Sequence, residues 1–152
     1  MPGKVASAGP FYIVWPQSVG VRSEQWPFAV VRLNVRAAPD KRWPQIAVSA
    51  QVPAGDRLRR GQSLFVVQCM VCHRMNGGGD AQVGPDLNLP MNPTEYFQPH
   101  ALRQLVRNPS SVRNWPTQLM PGFGPAQISD VELDDLLAYL AHMAQQRKAA
   151  PQ

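Results

Sequence analysis

The run Cys69-Met70-Val71-Cys72-His73 contains both cysteines of this 152-residue chain and one of its three histidines, with Gly77, Gly78 and Gly79 close behind. Two thiols three positions apart, with an imidazole next to the second, suit four kinds of chemistry. A zinc site wants about four ligands, and the remaining histidines, His100 and His142, stand at no finger-like spacing. A dithiol redox pair is expected beside a β-α-β pattern, which this sequence lacks. A structural disulfide leaves the histidine without a role. Covalent attachment of haem uses all three residues, and C-x-x-C-H is its attachment signal. Two thiols add across two vinyl groups as thioethers, and the histidine is carried beneath the iron as its proximal ligand.

Such a haem needs a second axial ligand and an apolar pocket. Met120 lies 47 residues beyond His73 in Leu119-Met120-Pro121-Gly122-Phe123-Gly124, a Pro/Gly-braced loop that can hold a thioether in place. Met91 is a rival, and His100 would give a bis-histidine haem. Met70 and Met75 lie too close to the attachment point to reach the opposite face, and Met143 falls on the last predicted helix. On the proximal side, Val83-Gly84-Pro85-Asp86-Leu87 offers the Pro85 carbonyl to accept the Nδ1–H of His73. That bond would fix the tautomer and turn Nε2 toward the metal. Val83, Leu87, Leu102, Leu105, Val106, Leu119 and Phe123 are candidate pocket walls.

Helices must position these groups. Residues 55–73 read as helical, capped by Asp56 and with Leu58, Leu64 and Phe65 at helical spacing. A short helix is expected over about 99–107, stopped at Asn108-Pro109. A last helix begins at Ser129, three residues before Glu132, a capping box. Leu133, Leu136, Leu137 and Leu140 form its apolar stripe, and Arg147 and Lys148 suit the negative end of its dipole. Long loops join the three, and loops of that length in a small domain usually wrap something functional. Upstream, residues 11–15 and 28–36 read as β-strands and 46–52 as a third short extended piece. Two strands make no stable sheet alone. The domain organisation expected is therefore a β-strand and loop extension over 1–54, a helical domain over 55–146 and a tail over 147–152.

Composition narrows the functions. Residues 1–60 carry nine Lys/Arg against three Asp/Glu, and residues 61–152 carry six against seven. The basic character belongs to the first part of the chain, where it can steer an acidic partner. The arginines form no dense cluster on a nucleic-acid-binding module, so no nucleic-acid partner is expected. No apolar run approaches the ~18 residues of a transmembrane helix, and no signal peptide is visible at the start.

Taken in order, residues 61–79, Val83–Leu87, Leu119–Gly124 and Ser129–Met143 resemble class I c-type cytochromes over about residues 58–145. The resemblance implies a mainly α fold, about three main helices around one haem c bonded through Cys69 and Cys72 and ligated by His73 and Met120. It implies that the first helix crosses the last near Gly61, with Phe65 meeting Tyr139 and Leu136. Among Arg103, Arg107, Arg113, Trp115 and Gln118, Arg107 and Trp115 are expected to hold the haem propionates. Residues 9–36 resemble the closing strands of a sulfite-oxidase-type molybdopterin-binding domain, without its cofactor cradle.

The function implied is one-electron transfer, from a molybdenum oxidoreductase, as partner or fused domain, to a respiratory acceptor such as a downstream cytochrome or oxidase. Thioether formation outside the bacterial cytoplasm makes the periplasm the expected location. The protein would be an electron carrier and not itself an enzyme. Two alternatives compete. One is a peroxidase or gas sensor with an open iron position; the other is an interaction module docking through its N-terminal strands.

Overall fold

A computed structural model describes residues 9–11, 13–14, 27 and 29–147. The chain divides into two units, Met1–Arg36 and Ala37–Gln152.

In the first unit, among the described residues, Ile13 N–H donates to the Pro27 carbonyl at 3.1 Å and Val30 N–H to the Phe11 carbonyl at 2.7 Å. No strand forms among the described residues, so the expected β-strand extension is not supported. Residues 12, 15 and 28 of the two predicted strands lie outside the described residues. Within the second, Ala29 adopts a left-handed φ of 54°, which breaks an extended run at its start. Val31, Leu33 and Val35 alternate as the sequence suggested, but all three are exposed, Val35 by 99%.

Among the described residues the second unit contains five α-helices: α1 Pro39–Arg42, α2 Arg57–Leu64, α3 Pro93–Tyr96, α4 Pro99–Arg107 and α5 Asp130–Ala144. The Asp56 side chain caps α2 by accepting from the Leu58 N–H at 2.8 Å. Helix α2 runs on as a π-helical turn, Phe65–Cys69. Helix α4 ends at Asn108-Pro109 as predicted, because proline disfavours helical geometry in the residue before it. The capping box of α5 is formed: Ser129 N–H donates to Glu132 Oε2 at 2.8 Å, and Glu132 N–H returns to Ser129 Oγ. Asn92 and Glu95 build a second box at α3, a helix the sequence reading did not anticipate.

Helices α2 and α5 cross at Gly61. A methyl there would stand 2.1 Å from the Asp135 carbonyl oxygen, so only glycine allows the approach. One turn on, the Phe65 and Tyr139 rings pack 5.5 Å apart. Both are fully buried, among Leu133, Leu136, Leu140 and Met143. The buried Asp135 carboxylate accepts from Arg60 Nε at 2.7 Å, which meets the requirement that a buried charge be paired.

The expected boundary after residue 54 falls inside this unit. Residues 46–52 form no strand; a 3₁₀ turn, Pro44–Ile46, leads through an extended Ala47 into a turn at residues 50–51. Ile46 is fully buried in the core with Val48. Tyr139 Oη donates to the Ile46 carbonyl at 2.7 Å, and Val48 N–H donates to Gln62 Oε1 at 2.7 Å. Residues 37–52 thus form a strap over the helix crossing, not part of an appendage.

Candidate functional site

The attachment residues sit where α2 runs out. Met70 N–H donates to the Phe65 carbonyl, an i to i+5 closure at 2.9 Å, and His73 N–H to Cys69 at 2.8 Å. These bonds gather both thiols and the imidazole into about one helical turn, the arrangement the spacing required. The thiols are not joined in a disulfide. Burial pushes the Cys69 thiol up to about 12, and nearby Cys72 pushes the same way.

The proximal loop lies against this turn. Gly84 N–H donates to the Cys72 carbonyl at 2.7 Å, and Leu87 N–H to Arg74 at 2.8 Å. Between those two tethers the Pro85 carbonyl stands 2.8 Å from His73 Nδ1. A carbonyl only accepts, so Nδ1 carries the proton and Nε2 keeps a lone pair for a metal. Gly84 is required here: a methyl on it would fall 2.5 Å from His73 Cε1.

The sequence reading missed what holds this loop. The Asp86 carboxylate accepts four backbone N–H groups: Asn76 (3.1 Å), Asn88 (2.8 Å) and Leu89 (3.0 Å) on Oδ1, and Gly77 (2.7 Å) on Oδ2. Asn88, fully buried, donates to Asn76 Oδ1 and to the Met143 carbonyl. Asn92, also buried, donates to Asn88 Oδ1 and to the Leu140 carbonyl. Asp86, after Gly84-Pro85 and two residues before Asn88, is an Asx-turn signal, the clue available in the sequence.

Met120 is half-buried and lines a cleft of about 300 Å3 with Asn108, Pro109, Asn114, Trp115 and Gln118. The loop after α4 builds this cleft, and Cys69, Cys72 and His73 are not among its lining residues. Trp115 stands at its rim, 49% exposed. Met91 and His100, the rival ligands, are surface residues. Arg107 does not line the cleft. Its guanidinium donates to the Phe123 and Ile128 carbonyls and to Asp130. That engagement turns it toward the chain. Arg103 pairs with Asp134, and Arg113 lies 4.6 Å over the Phe97 ring.

A thiol pair beside an imidazole whose Nδ1 proton is fixed by the Pro85 carbonyl fits a covalently held haem. The cytochrome c family model matches residues 58–144. This chain belongs to the cytochrome c family. No solved structure matches it. As a cytochrome c it carries haem c, bonded through its two cysteines, Cys69 and Cys72. It is an electron-transfer protein that works with redox partner proteins. Among the described residues no helix is long and apolar enough to cross a membrane.

Proposed function

We propose that this cytochrome is a single-haem carrier ligated by His73 and Met120. It would take one electron from a molybdenum-containing oxidoreductase and pass it to a respiratory acceptor in the periplasm. The observation that carries the ligand reading is the 2.8 Å contact of the Pro85 carbonyl with His73 Nδ1, which aims a basic nitrogen away from the loop. When bound, the haem would supply an iron that exchanges one electron. His73, its ring held by the Pro85 carbonyl, and Met120, in a loop braced by Pro121 and Gly122, would hold that iron. A methionine ligand raises the potential relative to bis-histidine. The test is a potentiometric titration of Met120→His: a lower midpoint is expected, and an unchanged one removes Met120 from the role.

One observation favours a docking role for the first unit. Val31, Leu33 and Val35 are exposed, as are Arg32 and Arg36 beside them, an apolar and basic stretch suited to docking on an acidic partner. The donor proposal predicts that Val31→Asp with Val35→Asp slows reduction by the molybdenum enzyme and leaves the midpoint potential unchanged. Unaltered reduction kinetics would count against it.

A further inference from the structure

We propose that Arg107 is the positioning residue for the distal ligand, holding the loop that carries Met120 against the end of α4. This rests on the reading of Met120 as an iron ligand. Arg107 is the last residue of α4. One of its terminal nitrogens donates to two carbonyls, Phe123 at 2.9 Å and Ile128 at 2.5 Å, and the other to Asp130 Oδ1 at 2.7 Å. Only 17% of the side chain is exposed.

Those acceptors have a common position. Phe123 lies three residues after Met120, Ile128 just before the α5 N-cap, and Asp130 at the first residue of α5. A single guanidinium therefore gathers the exit of the methionine loop and the start of the last helix onto the end of α4. A backbone bond runs beside it, from Phe123 N–H to the Val106 carbonyl at 3.0 Å. Phe123 and Ile128 are both buried, so their carbonyls have no ready substitute in water. Without the guanidinium they lose their partner, and the cost of an unmet buried acceptor favours loop movement. Movement there is transmitted to Met120 through three residues, two of them Pro121 and Gly122. Lysine, a compact charge without the planar fork, cannot reproduce three divergent contacts.

The experiment uses the haem-loaded protein with Arg107→Met and Arg107→Lys. Three readings are taken: the far-red methionine-to-ferric-iron absorption band, the rate at which imidazole captures the ferric iron, and hydrogen exchange at the Phe123 amide. Loss of charged hydrogen bonds is expected to speed imidazole capture by about tenfold to a hundredfold in Arg107→Met. The band should weaken, and the Phe123 amide should lose protection. Arg107→Lys should fall between. A capture rate within about twofold of wild type and a full band in Arg107→Met overturn the proposal. Should that chain not accumulate, the same readings on Arg107→Lys and Asp130→Ala decide it. Faster capture in both supports the proposal, and wild-type behaviour in both overturns it. Absence of the band in the wild type would instead fault the Met120 ligation itself.

Discussion

Gly61→Ala tests the helix crossing on which the haem-bearing turn rests. The added methyl would sit 2.1 Å from the Asp135 carbonyl oxygen, and 2.7 Å from both that carbonyl carbon and Tyr139 Cβ. Carbon pairs are most favourable at about 3.5–4.0 Å, so α2 and α5 must part by roughly 1 Å. A gap of about 0.5–1 Å already forfeits a quarter to a half of each dispersion contact, and the Phe65–Tyr139 pair lies beside it. Overpacking costs about 1–3 kcal/mol. The nearest atoms are backbone, which cannot rotate aside, so the upper figure applies. Alanine recovers about 1 kcal/mol of helix propensity over glycine. The clash wins by about 2 kcal/mol, which for a domain of about 100 residues lowers Tm by about 8–16 °C. Thermal unfolding of the holoprotein, followed by far-ultraviolet circular dichroism and haem absorption, measures it. A Tm within about 3 °C of wild type would refute the contact geometry.

Ile46→Ala, outside the segment matched by the family model, should cost about 2–4 kcal/mol because Ile46 is fully buried. Denaturant unfolding would show this, and a loss below about 0.5 kcal/mol would show the strap to be dispensable. Gly84→Ala should leave haem covalently bound but alter its axial-ligand absorption, since the methyl displaces the His73 ring; an unaltered spectrum contradicts that. The Asn92 N–H, and after it Arg147, hold the Glu95 carboxyl below the usual carboxylate range, against the opposing effect of desolvation. Its contribution is therefore present above that range and lost as pH falls through the lowered value. The stability difference between wild type and Glu95→Gln should shrink from neutral pH into acid, and a constant difference would contradict the capping-box role.

Local rules in the sequence anticipated much of this structure. The Asn108-Pro109 stop, the Ser129–Glu132 box and the Asp56 cap depend on neighbours a few residues apart, and each forms as expected. The Pro85–His73 bond was legible because C-x-x-C-H leaves one imidazole nitrogen needing an acceptor. What was not legible depends on distant partners. Ile46 and Val48 read as part of a short extended piece, and only Tyr139, 93 residues from Ile46, reveals their place in the core. Arginine near a haem loop suggests a propionate, whereas the acceptors of Arg107 become neighbours only after folding. The alternation at residues 31–35 was real, but alternation alone supplies no pairing strand.

The account's central claim is one covalently held haem clamped between His73 and Met120 and cycling by a single electron. A spectroelectrochemical titration of the matured protein tests it most directly. It predicts one one-electron transition, with a far-red methionine-to-iron band in the ferric protein that disappears on reduction. A ferric spectrum without that band would contradict it.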